Sequence, residues 1–144
     1  MYYHFKIHKE RHGLWAECIE LEGCQTQGDD MDELEFNMRE VLALCLEEPP
    51  ESKIIFPMPL KKTPRGANII KVPIDPSVAF SLVLRMTRLK HKLTLKEMAK
   101  KLHYKNINTY VKLEKAKTAN PGLRTIANIK AVFANFPINL ILAS

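Results

Sequence analysis

The 144-residue chain is poor in cysteine, glycine and tryptophan, with three, five and one of them. Cys18, Cys24 and Cys45 are an odd number and none stands in a C-x-x-C pair. That argues against a disulfide framework, offers no cysteine pair at zinc-ligand spacing, and fits a reducing cytosol. No apolar run approaches the roughly 18 residues a membrane-spanning helix needs, and the amino terminus MYYHFKIHKE carries no signal-peptide core. The expectation is a cytoplasmic protein without a membrane partner. Internal repeats and low-complexity segments are also missing.

Acidic residues are nearly absent from one half of the chain. Residues 61–144 hold 17 Lys/Arg against 3 Asp/Glu, a net +14, whereas residues 1–60 hold 5 against 13, a net −8. The overall +6 hides this division. A half so basic favours a polyanion, because neutralising phosphates releases condensed counterions. The acidic half would repel the same polyanion, so the two halves are expected to meet different partners.

What is present is organised. In YYHFKIH, Tyr3, Phe5 and Ile7 alternate with His4, Lys6 and His8, the period of a half-buried strand. Gly13 turns the chain, LWAECIEL reads as a second strand, and GCQTQG as a short third one between Gly23 and Gly28. Asp30 stands three residues before Glu33, a capping-box start. Met31, Leu34, Met38, Val41, Leu42 and Cys45 then follow at helical spacing until Pro49 and Pro50. These elements amount to a small α+β unit.

The segment PMPLKKTPRG, in which the charge changes sign, marks the expected boundary: a first domain over residues 1–58, a linker over 59–67 and a second domain over 68–144. In the second, NIIKVPI reads as a short strand or extended arm, and Asp75 with Pro76 opens a helix lined by Val78, Leu82, Met86 and Leu89. Thr94 and Glu97 form another capping box before a short helix with Met98, Ala99 and Leu102 inward. Ala99 is small, as a close helix crossing requires.

A turn at His103–Lys105 leads to Asn106, a good helix cap, after which Ile107, Tyr110 and Leu113 are expected in the core. Asn108, Thr109 and Lys112 then face outward, where amide, hydroxyl and ammonium groups suit base edges, while Lys96, Lys105, Lys115 and Lys117 suit phosphate oxygens. With Asn106 they make up the expected DNA-binding set. The plainer alternative is a solvated helical bundle with lysines on its surface. GLRTIANIKAVFANF reads as a last helix with Leu123, Ile126, Ile129, Val132 and Phe133 packed beneath, and INLILAS as a closing strand and candidate dimer seam.

LTLKEMAKKL followed by INTYVKLEKAKTANPGLRTIANIKAVF resembles the lambda-repressor-like (XRE-type) helix-turn-helix domain over about residues 76–134. His103 stands where that family usually has glycine, and one extra residue precedes Tyr110. GLWAECIELEGCQTQGDDMDELEFNMREVLALCLEE is similar to the amino-terminal domain of HicB-type antitoxins, with Thr26, Gln27 and Gly28 as its TQG motif and Glu22 where proline is frequent. The resemblance implies an α+β protein: a degenerate RNase H-like domain, made of a small antiparallel sheet with one helix, and an all-α helix-turn-helix domain.

It further implies a HicA-type toxin ribonuclease as partner, operator DNA as a second, a homodimer with pairing into tetramers left open, and no cofactor. The toxin-facing set would be Trp15, Glu17, Glu20, Glu22, Asp29 and Asp30. For Trp15 the ordinary reading is packing on a strand, and for the glutamates a solvated rim. A stand-alone regulator whose first domain binds another protein or a small ligand is the alternative.

Catalysis is not expected. Two-metal nuclease chemistry needs carboxylates converging from strands and a helix, and the acids here lie mostly in loops and at a cap. His4 and His8 share a strand face but sit about 13 Å apart, too far for one ion.

Overall fold

The computed structural model describes residues 1–143 as two compact units: one of residues 1–46 and 56–75 with Ala143, the other of residues 47–55 and 76–142. The chain is α+β, with a four-stranded antiparallel sheet and six helices among the described residues.

In the first unit, β1 (Tyr2–Lys9), β2 (Leu14–Cys18), β3 (Gln25–Gly28) and β4 (Ile69–Pro73) stand in the order β3-β2-β1-β4. The alternation in YYHFKIH sends Tyr3 and Phe5 to one face, where both are fully buried. The register puts Phe5 opposite Cys18 and Ile70, and Ile7 opposite Ala16. Helix α1 (Met31–Leu46) covers this face with Leu34, Met38, Leu42 and Leu46, a row at four-residue steps.

The capping exchange at its start is present: the Glu33 amide donates to Asp30 Oδ1 at 2.9 Å, and the Glu33 carboxylate accepts from the Asp29 amide at 2.7 Å. Gly28 is required just before it, because a Cβ there would lie 2.6 Å from the Leu34 nitrogen.

The segment NIIKVPI extends the sheet beside β1. Its β-branched Ile70 and Val72 reach the core face, and Pro73 ends a strand on an open edge, where its missing N–H costs nothing.

In the second unit, α2 (Pro76–Lys90) is enclosed on most sides, with Ala79, Phe80, Leu82, Val83, Leu84 and Met86 buried. Around it lie α3 (Leu95–Lys101), α4 (Ile107–Val111) running into a 3-10 turn (Lys112–Glu114), α5 (Leu123–Val132) and α6 (Ile138–Leu142). Two arginines of α2 hold the irregular segment 47–55. Arg85 Nη1 donates to the Ser52 and Ile54 carbonyls at 3.1 and 2.8 Å, and Arg88 Nη2 to the Pro50 carbonyl at 2.7 Å.

Three local expectations are corrected. Of the segment expected as a closing strand, Ile138–Leu142 forms the helix α6 with Ile141 buried, and Ser144 lies outside the described residues; apolar runs this short carry no period that separates helix from strand. Ile107 is 39 % exposed and Leu123 is 86 % exposed, each at the first position of its helix, so only the later residues of the pattern reach the core.

Candidate functional site

The basic region is assembled by two helix ends that use the same device. At the end of α3 the His103 amide donates to the Lys100 carbonyl and the Tyr104 amide to the Ala99 carbonyl, with His103 at φ 61°. At the end of α2 the Lys92 and Leu93 amides donate to Leu89 and Arg88, with Lys92 at φ 54°. Both are Schellman caps whose left-handed position, usually glycine, is held here by a cationic or titratable side chain. Each turns the chain sharply, so α2, α3 and α4 follow one another with short turns.

The Thr94 capping box is complete: Glu97 N–H donates to Thr94 Oγ1 at 3.1 Å and Thr94 N–H to Glu97 Oε2 at 2.7 Å. Those bonds hold the exposed Glu97 carboxyl below its usual range. Asn106 caps α4, its Oδ1 accepting from the Asn108 amide at 2.8 Å. One acceptor of Asn106 is therefore spent on the helix. Asn128 on α5 donates to the Leu102 carbonyl at 2.8 Å and ties α3 to the unit; nothing in its sequence setting marked it.

Lys96, Lys105, Asn106, Asn108, Thr109, Lys112, Lys115 and Lys117 are all exposed. Lys96 and Lys105 flank a groove between α3 and α4 with Lys100, His103, Tyr104 and Ile107. Asn108, Thr109 and Lys112 follow along α4 and into the 3-10 turn, and Lys117 Nζ lies 4.0 Å from Glu47. Residues 92–117 contain eight lysines and two acids, Glu97 and Glu114. Glu114 is buried against Arg88 and Tyr110, so the surface keeps almost unopposed positive charge.

The acidic set is dispersed over three places of the first unit. Trp15 and Glu17 lie on the sheet face away from α1, where Trp15 stacks on His8 with ring centroids 4.1 Å apart and Glu17 Oε1 is 3.0 Å from His8 Nε2. Gln25 and Gln27 stand opposite them on β3. Glu22 is exposed in the β2–β3 connection, and Asp29 and Asp30 are exposed at the start of α1.

Glu20 departs from the solvated rim expected of it: its side chain is 2 % exposed. It accepts from His4 Nδ1 at 2.6 Å, from the His4 amide at 3.0 Å and from the Leu60 amide at 3.2 Å. Burial pushes its carboxyl up, but the bonds from His4 and Leu60 outweigh it and leave the carboxyl below its usual range. His4 Nε2 is 3.3 Å from Thr63 Oγ1, so this buried pair fastens residues 60–63 across one end of the outer sheet face. Lys61, Lys62, Arg65 and Lys71 thereby belong to the first unit.

Among the described residues no group of three or more His, Cys, Asp or Glu side chains is placed to hold a metal ion, and no helix is long and apolar enough to cross a membrane.

No family model matches the chain. It is similar to UPF0150 protein ssr1258 of Synechocystis sp., with 44 % identity over 43 residues, or 29 % of this chain. The chain spans 62 % of the length of that relative.

Proposed function

We propose that this protein is an antitoxin and autorepressor of the HicB type. The first unit, read as a degenerate RNase H-like domain, binds and occludes a HicA-type mRNA-cleaving toxin. The second, read as a helix-turn-helix domain, dimerises and holds operator DNA. No reaction is catalysed; inhibition and repression are both steric and electrostatic.

The observation that carries the reading is the exposed run Asn108, Thr109 and Lys112 beside a lysine-flanked groove, on a basic unit joined to an acidic helix. Side chains of those three types complement base edges, and the lysines complement phosphates. The TQG motif before the capped helix α1 supports the toxin-binding half, and the likeness to a UPF0150 protein is compatible with an antitoxin-like role. A two-fold seam pairs half-sites in such repressors, and Leu123 and Leu142, 86 % and 63 % exposed, are apolar positions available for it.

The test is co-purification of the tagged full-length protein with the product of a small basic reading frame adjacent to its gene, followed by RNA cleavage with and without this protein. A stable complex that silences cleavage supports the antitoxin. Operator binding without any such complex leaves a stand-alone regulator whose first unit takes another ligand.

A further inference from the structure

The acidity of the first unit is concentrated on one side. From Asp29 to Leu46 the chain carries Asp29, Asp30, Asp32, Glu33, Glu35 and Glu40 against the single Arg39. The outer sheet face is mixed instead, with Lys6 opposite Glu17 and Lys71 opposite His4. Within this acidic helix, Phe36 is 64 % exposed and Leu44 is 68 % exposed, the two most exposed large apolar side chains of the unit.

Their position is not accidental to the helix. Leu34, Met38 and Leu42 point to the sheet, and Phe36, Glu40 and Leu44 each stand two residues further on, about 200° round the axis. They form the opposite row, with the two apolar groups about 12 Å apart and Glu40 between them. No ion pair among the described residues engages Asp32, Glu35 or Glu40.

We infer that the outward face of α1 is the docking surface for a basic protein, with Phe36 and Leu44 as its apolar anchors and the surrounding carboxylates selecting positive charge. Charge complementarity decides the occupant. A nucleic acid is repelled by this row, and a second copy laid on it would set like charges face to face. The face is a convex helix, which gives a small molecule no enclosure. Apolar anchors inside a charged rim are the usual anatomy of a protein interface. The inference rests on the antitoxin reading for the partner's identity, and it moves the working surface from Trp15 and Glu17 to α1.

The experiment titrates full-length protein against the purified product of the adjacent small basic reading frame by calorimetry, for wild type, Phe36→Ala/Leu44→Ala and Trp15→Ala/Glu17→Gln. Operator mobility shift and thermal melting serve as controls for the second unit and for folding. The expected result is a Kd raised about thirtyfold or more for Phe36→Ala/Leu44→Ala, with melting and operator binding as in wild type, and little change for the sheet-face variant.

A companion Asp32→Lys/Glu40→Lys variant is expected to slow association and flatten its salt dependence. Wild-type affinity in the helix-face variant, with binding lost in the sheet-face one, overturns the inference and leaves the antitoxin standing. Absence of binding by the wild type removes the antitoxin reading, and this surface falls with it.

Discussion

Arg88 and Glu114, twenty-six residues apart, form a two-pronged buried ion pair: Nε reaches Oε1 at 2.7 Å and Nη2 reaches Oε2 at 2.9 Å. The same guanidinium donates to the Pro50 carbonyl at 2.7 Å and to Leu93 at 3.1 Å, and Tyr110 donates its hydroxyl to Glu114. Burial alone would lower Arg88, but the bonds to Glu114 more than offset it and the guanidinium stays charged. Burial, with Glu114 beside it, pushes the Tyr110 phenol well above its usual range.

Removing one partner should leave an uncompensated buried charge. Arg88→Ala or Glu114→Ala is expected to cost about 3–5 kcal/mol in a urea titration followed on the second unit, and Arg88→Met/Glu114→Leu to recover most of it. Single variants as stable as the wild type would mean that the pair contributes nothing net.

The groove and outward side chains of α4 predict operator binding that separates into two kinds of loss. Asn108→Ala and Lys112→Ala should each weaken binding to the operator by about 1–3 kcal/mol if they read bases, and relax preference at one position. Lys96→Ala and Lys105→Ala should weaken all sequences alike and reduce the salt slope by about one each. With 6–10 phosphate contacts, affinity should drop roughly 10³–10⁵ between 50 and 200 mM salt. A flat salt titration would sink the polyanion argument.

His103, at φ 61°, carries a conformational cost that glycine would not. His103→Gly should raise stability by up to about 1 kcal/mol, the gain being reduced by the greater freedom of glycine in the unfolded chain. His103→Val should lower it. Equal urea midpoints for both variants would show that the Schellman turn relaxes to fit its residue.

Glu20 makes the first unit sensitive to acid. Its folded-state pKa lies below the ordinary value, so the stabilisation is fully present above the unfolded carboxylate pKa near ~4.3 and is lost as pH falls through the lower folded value. Glu20→Gln should lower the melting temperature at pH 7 and make it depend less on pH below about 4 than in the wild type. Parallel curves for the two proteins would assign the acid response to other carboxylates.

Much of this architecture was legible residue by residue. The period-two run of β1, the capping signals at Asp30, Thr94 and Asn106, and the four-residue steps of α1 each express a rule that acts within one turn or one strand. His103 was recognisable as a left-handed position, but Lys92 was not, because neither its type nor its neighbours announce a helix end. Glu20 looked like one more surface acid beside Glu17 and Glu22; only the crossing of residues 60–63 over His4 takes it out of solvent. Phe36 and Leu44 stand outside the helical row of Met31, Leu34, Met38, Val41, Leu42 and Cys45, and only the packing of α1 on the sheet decides that both remain exposed.

The sequence by itself determined the α+β composition, the division of charge and the starts of α1, α3 and α4, since these depend on residues within about four positions of one another. Tertiary structure alone decided that residues 69–73 join the sheet beside β1, that Arg88 meets Glu114, and which face of α1 remains uncovered. Those outcomes depend on segments tens of residues apart, and whether a side chain is paired, buried or left in water is a property of the packed chain, which no local pattern encodes.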